Sequence, residues 1–305
     1  MDISYNARNI HATRMDHDHF DFSAFRDRPK LAWPNGARLA VMFVVNVEFQ
    51  DLIVPEGTWR PPGSPIALDV RGFAHRDYGP RVGLFRLGAI LAAHGIKATV
   101  PVSDVVLTRA PRAVDYMKTL GWELVGHGAR SNHFVTETLS PEQEYAYLKA
   151  SYDAIKAATG TAPRGWMGPQ QSESSRTPVI AAKVGYDYTL DWSNDDQPYE
   201  MKPPEGRLMA LPASVETADY WVIDQRNHSP AEFEGVVRDH FDALYVESVK
   251  TGMAMTVNLQ SHRSGQPFRS KYIKALVAHM ATKGGVWFAT GSEVTDAARS
   301  VGWRG

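Results

Sequence analysis

Beyond residue 36 the chain changes its hydrophobic period again and again, and this alternation restricts the fold more than any other feature. "ARLAVMFVVNVEF" (37–49) is a β-rich apolar run of the kind buried on both faces of a sheet. "RVGLFRLGAILAAHGI" (81–96) places Val82, Phe85, Ala89 and Ala92 on one helical face, with Gly95 at the stop position. A strand over "KATVPVS" (97–103), a helix over "RAVDYMKTLGW" (112–122) and a third strand in "ELVGHG" follow. "SPEQEYAYLKASYDAIKAATG" (140–160) opens with Ser140 as N-cap, Pro141 at the first helical position and Gln143 three residues on, and it closes at Gly160. Short strands in "PRGWMGPQ" and "DYTLDWS" enclose a helix in "SSRTPVIAAKVGY". The segment "RLMALPAS" (207–214), a helix over 230–250, the strand "MAMTVNLQSH" (253–262), a helix over 268–283 and a last strand in "GVWFATGSEV" complete the order.

About seven to eight strands, each followed by a helix, require parallel strands with the helices outside. The expected class is α/β, and a closed or nearly closed (β/α) barrel fits the count better than an open doubly wound sheet. Neither a G-x-G-x-x-G nor a Walker pattern is present to favour a nucleotide-binding sheet. Residues 36–305 are read as a single domain preceded by a polar N-terminal arm, residues 1–35.

Composition removes several function classes. The chain has no cysteine, so disulfides, thiolate catalysis and zinc–sulfur sites are excluded, and any metal ion would rest on histidine, carboxylate or water. Its net charge of −1 offers no general attraction to nucleic acid or to an anionic membrane. The first residues, "MDISYNARNIHATRMDHDHFDF", lack the apolar segment of a signal peptide. No apolar run approaches the length of about 18 residues that a membrane span needs, so a cytoplasmic location is expected. "DHDH" (16–19) resembles a metal tract but reads as a solvated part of the arm.

In a barrel the active groups belong where strands end and βα loops begin. Asn46 and Glu48 share one face at the end of the first strand, and an acid after "AVMFVV" must meet a polar cavity or bear a large desolvation cost. His127, Arg130, Asn132 and His133 follow the third strand, and the glycines flanking His127 permit close backbone approach. Trp166 and Arg176 lie after or at the fourth, and Asp191, Trp192, Asp195 and Asp196 at the fifth. His262 follows the strand that begins at residue 253. His127 and His133 are six apart, which is not the i, i+4 spacing of common two-histidine metal motifs. Each residue also has a bland reading: a turn cap, a surface ion pair or a core aromatic.

"YGPRVGLFRLGAILAAHGIKATV", "GWELVGHGARSNH", "TGTAPRGWMGPQQSESSRTP", "DWSNDDQPY" and "SHRSGQPFRSKYI", in this order, resemble the polysaccharide deacetylase superfamily. The similarity runs over roughly residues 36–298. It is nearest to the branch of metal-independent allantoinases, cyclic imide hydrolases and atypical peptidoglycan deacetylase-like proteins. The resemblance implies a distorted (β/α) barrel with its site at the strand C-terminal ends. It also exposes departures. Metal-dependent members carry paired aspartates after the first strand and a His-x-x-x-His motif after the third. Here Asn46 and Glu48 stand at the first place, and Ser131 follows His127 where the second histidine belongs. A metal-free site is therefore favoured; the alternative is a weakly bound divalent ion such as zinc on Glu48, His127 and His133.

The activity so implied is hydrolysis of a non-peptide C–N bond, the ring-opening of a small cyclic amide, imide or ureide by activated water. Glu48, His127 and His262 are the candidate catalytic groups. Glu48 serves as base or water-positioning carboxylate, with burial expected to raise its pKa. Arg130, Asn132, Trp166, Arg176, Asp195 and Asp196 are candidates for substrate binding. A metal-dependent deacetylase of N-acetylated carbohydrate and a non-catalytic ligand-binding barrel are the alternatives. The expected partner is a small-molecule substrate, with no nucleic acid and no membrane, and the branch implies a homo-oligomer, dimer or tetramer. The "WRPPGSP" loop and the arm are expected to roof the site in part.

Overall fold

The computed structural model describes residues 17–54 and 68–305, so the "WRPPGSP" loop and the first half of the arm lie outside the described residues. Among the described residues nine strands build one sheet: β1 (Leu39–Asn46), β2 (Ala98–Val102), β3 (Glu123–Gly126), β4 (Gly165–Trp166), β5 (Tyr188–Thr189), β6 (Tyr199–Glu200), β7 (Met209–Ala210), β8 (Met253–Gln260) and β9 (Val286–Phe288). Their order is β6-β7-β5-β4-β3-β2-β1-β8, with β9 also on β1. Every pairing is parallel except β6 on β7. The helices are α1 (Val70–Tyr78), α2 (Leu84–Ala92), α3 (Asp104–Arg109), α4 (Pro111–Thr119), α5 (Pro141–Thr159), α6 (Thr177–Val184), α7 (Pro230–Glu247), α8 (Ser261–Ser264), α9 (Pro267–Ala281) and α10 (Gly291–Ser300). Among the described residues no helix is long and apolar enough to cross a membrane.

β1 is the axis of the sheet. All eight of its residues are buried, and they pair with β8 from Leu39 opposite Met253 to Asn46 opposite Gln260. Alternation then assigns its side chains to two cores. Leu39, Val41, Phe43 and Val45 face outward, with Leu84 and Leu87 of α2, Phe233 and Phe241 of α7 and Leu276 of α9. Ala40, Met42 and Val44 face inward, where they meet Val125, Tyr188, Met209 and Ala254 from strands all round the sheet. Strands that share an inner cluster must curl toward one another, and the result is a mostly parallel half-barrel: the distorted (β/α) barrel that the resemblance implied.

Three local features depart from the reading of the sequence. The helix expected from residue 81 is preceded by α1 and a π-helical turn, Gly79–Gly83. Gly83 stands so close to the carbonyl oxygen of Ser261 that any side chain would collide with it, so this glycine marks a close approach and not a break. The end of "GVWFATGSEV" is the start of α10, whose N-terminus is a reciprocal capping box between Thr290 and Glu293. The last part of the arm is not polar: Leu31 and Trp33 are buried in the inner core, and the Trp33 indole donates to the Met253 carbonyl at 2.8 Å.

Candidate active site

The C-terminal ends of β1, β3, β4, β5 and β8 surround a cavity of about 400 Å³. Glu48 lies two residues past β1, His127 directly after β3, Met167 directly after β4, Asp191 two residues past β5, and His262 two past the end of β8. The opposite wall is the segment from Val215 to Gln225, which includes a π-helical turn, Tyr220–Gln225. Period-two geometry explains the delivery of the polar groups. Asn46 and Glu48 continue one face of β1, while Asn258 and Gln260 continue one face of β8. Asn46 Nδ2 ties the two strands at the cavity floor by donating to Asn258 Oδ1 at 2.5 Å.

Glu48 is 3 % exposed and is approached from three sides. Arg76 Nε donates to Oε2 at 3.3 Å, His127 Nε2 lies 3.4 Å from Oε1, and the Gln260 carboxamide, in the orientation that turns its nitrogen to the carboxylate, donates to both oxygens at 3.2 Å. Burial alone would raise the Glu48 carboxyl, as expected from the sequence. The His127 hydrogen bond and the charge of Arg76, with lesser contributions from the two histidines, outweigh it and hold the group well below the usual carboxylate range. That expectation is therefore corrected. The reasons are, first, the His127 hydrogen bond and, next, the charge of Arg76, which is delivered by α1, a helix not recognised in the sequence.

The two histidines differ. His127 Nδ1 donates to the Met167 carbonyl at 2.7 Å, which fixes the ring and aims Nε2 at Glu48. His262 is 2 % exposed, stands edge-on to His75 at 4.8 Å, and its Nδ1 has no hydrogen-bond partner among the described residues. Burial pushes its pKa well down; Glu48 opposes this, and Arg263, Arg76 and His75 add to it. Burial also raises Asp191 and Asp219, each to about 6. Asp191 accepts the Gly168 N–H on both oxygens at 2.9 and 3.0 Å, and Asp219 accepts from Gln260 N at 2.9 Å.

The structure thus brings Glu48, His127 and His262 to one cavity. It does not bring the expected substrate-binding residues there. Arg130 Nε donates to Asp51 at 2.7 Å, and His133 Nε2 faces the same carboxylate at 3.4 Å. Asn132 is buried beside them, and neither polar atom of its side chain has a hydrogen-bond partner among the described residues. Trp166 is packed with Tyr186 and Leu148 on the far side of β4 from the cavity. Arg176 ties Glu137 and Glu144 together. Asp195 binds Arg28 of the arm at 2.6 Å and, with Asp196, lines a separate, larger cavity under the arm. Arg130, Arg176 and Asp195 each find a counter-ion outside the cavity, and side-chain direction at a loop is not legible from position alone. Arg76, Asp219 and Gln260 were missed as site residues, and Asp191 was placed at a strand end without a role. For Gln260 a signal existed: the alternation running back from His262 along β8.

The donor set does not fit a divalent ion. Asn46 offers its amide to Asn258, Ser131 replaces the expected histidine, and His133 is engaged with Asp51 instead of joining Glu48 and His127. Arg76 already places a cation on the Glu48 carboxylate. Among the described residues no group of three His, Cys, Asp or Glu side chains could hold a metal ion.

His127 depends on its neighbouring glycines. At Gly126 a side chain would collide with Tyr186 and Trp166. At Gly128, where φ is +67°, it would collide with the Tyr147 ring. The Tyr147 hydroxyl accepts from Ala129 N at 3.2 Å and donates to the His133 carbonyl at 2.9 Å, so the loop cannot yield freely. Gly128→Ala is expected to destabilise the fold by about 1–3 kcal/mol and to lower activity. Urea denaturation checks this, and an unchanged midpoint would show that the loop adapts.

Residues 76–189 match the polysaccharide deacetylase family model. A curated Schizosaccharomyces pombe protein described as "Putative polysaccharide deacetylase" is 27 % identical over 295 residues, spanning 87 % of this chain and 91 % of its own length. Among solved structures, PuuE allantoinase superposes with a TM-score of 0.82 at 21 % identity, covering 90 % of this chain and 94 % of that one. A "probable Polysaccharide deacetylase" from Pseudomonas aeruginosa PAO1 gives 0.81 at 21 % identity, with 90 % and 95 % coverage. The family resemblance carried by the five ordered motifs is upheld, and so is the fold.

Proposed function

We propose that this chain, with its polysaccharide deacetylase domain signature and allantoinase-like fold, hydrolyses a C–N bond in a small cyclic amide, imide or ureide. The observation that carries the reading is the lining of the cavity. Asn46, Gln170, Gln171, Gln225, Asn258 and Gln260 line the cavity around Glu48, His127 and His262; most are bonded to protein neighbours, and the Gln170 carboxamide and the Asn46 oxygen are left for a ligand among the described residues. Carboxamides offer donors and acceptors in pairs, which matches a ring with alternating C=O and N–H. A volume of about 400 Å³ suits such a ring. The PuuE allantoinase neighbour lends support to the ureide class.

In this mechanism Glu48 stays ionised and orients the attacking water. Its depressed pKa makes it a poor proton acceptor, whereas buried His262 is neutral at pH 7 and takes the proton. Hydroxide adds to the ring carbonyl. The terminal nitrogens of Arg76, which have no hydrogen-bond partner among the described residues, face the developing oxyanion. The C–N bond then breaks, and His127 supplies a proton from Nε2 to the departing nitrogen. Proton return from His262 to His127 through solvent closes the cycle.

The test is turnover of allantoin, hydantoin, succinimide, dihydrouracil and an N-acetylated sugar, each with and without chelator. Chelator-resistant ring opening is expected. Deacetylation of the sugar alone, abolished by chelator, would replace this reading with the metal-dependent one. The pH profile gives a second check. Because the His262 pKa lies below its ordinary value of about 6.5, the acid limb of kcat/KM should be centred below pH 6.5, where the ring gains a proton. An acid limb centred above pH 6.5 would remove His262 as the acceptor.

A further inference from the structure

Only four non-glycine residues among the described ones have positive φ. Two are asparagines, for which the left-handed region is ordinary; the others are the consecutive pair Gln170 and Gln171, at φ 56° and 55°. Such strain persists only where the surroundings over-determine it, and here they do. Gly168 N is held by Asp191, and Gln171 N donates to the Gly168 carbonyl at 2.8 Å. The Gln171 carboxamide is spent on the loop itself, donating to the carbonyls of Leu190 at 2.8 Å and Ala213 at 3.2 Å. Ser172 Oγ donates to the Pro169 carbonyl at 2.7 Å and accepts from Val135 N at 3.1 Å. A side chain at Gly168 would collide with the Ser172 carbonyl. All this anchoring leaves one carboxamide unused. Gln170 lines the cavity, is exposed, and makes no hydrogen bond among the described residues.

Resting on the ring-opening reading, we propose that Gln170 determines specificity by reading the C(=O)–N–H edge of the ring. Its carboxamide oxygen accepts from the ring N–H while its nitrogen donates to the adjacent carbonyl. The strained loop exists to present this group at the cavity mouth. A ring alkylated on that nitrogen loses one half of the contact, so the enzyme discriminates imides and hydantoins bearing a free N–H from their N-methyl forms.

The experiment compares succinimide with N-methylsuccinimide, and hydantoin with 3-methylhydantoin, on wild type, Gln170→Ala and Gln170→Gly. Wild type is expected to prefer the N–H ring, and both variants should lose about tenfold of that preference, the size of one hydrogen bond. The loss should be carried mainly by KM for the N–H ring. Gln170→Gly, which accepts the left-handed backbone, should keep or raise Tm while losing the preference; a purely structural role for the position would not separate the two. Unchanged KM and preference in both variants would overturn the assignment and leave ring opening standing. No turnover of any cyclic substrate by wild type would overturn the ring-opening reading itself, and this assignment with it.

Discussion

Glu48→Gln is expected to lower kcat/KM by about 10²- to 10⁴-fold, with the far-UV spectrum unchanged. The substitution keeps the shape of the side chain and removes its charge. The water loses its anionic anchor, and Arg76 Nε and His127 Nε2, at 3.3 and 3.4 Å, lose the carboxylate they share. A second effect separates this from simple damage. The Glu48 charge raises the His262 pKa against the burial that lowers it, so in Glu48→Gln the acid limb of the residual activity moves to lower pH. Steady-state kinetics from pH 5 to 8 measure both effects. Activity within a few-fold of wild type would remove Glu48 from the mechanism.

Glu144→Ala is expected to give a large loss of stability. The carboxylate is fully buried in α5 and accepts from Ser174 Oγ at 2.7 Å, Thr177 Oγ1 at 2.5 Å and Arg176 Nη2 at 3.2 Å. Truncation leaves buried hydroxyls unpaired and frees the stretch from Ser174 to Thr177 that leads from the Gln170 loop into α6. Arg176 is partly exposed, so its ion pair adds little; the unpaired hydroxyls dominate, and the cost is about 3 kcal/mol. Calorimetry should show Tm lower by roughly 5–10 °C. A shift within a degree would mean that water replaces the carboxylate.

The strand ends could be read because an acid or histidine closing an apolar run has few places to go. Glu48, His127 and His262 follow that logic, and all three reach the cavity. Loop residues obey a different rule. Arg130 and Asp195 sit beyond the strand ends as much as the catalytic candidates do, but Asp51 and Arg28, distant in sequence, capture them. Arg76 shows the converse. No element was assigned to the stretch that holds it, yet it contacts the Glu48 carboxylate and, after the His127 hydrogen bond, contributes most to lowering its pKa.

The sequence alone determined most of the order of strands and helices, the parallel barrel class and the three strand-end groups, because hydrophobic period and side-chain alternation are local properties of the chain. Only the tertiary structure decided which cations meet Glu48, which arginines are already paired, and that Gln170 is held strained and unpartnered at the mouth of the cavity. These depend on distances between residues far apart in sequence. Electrostatic balance in a buried site is set by those distances.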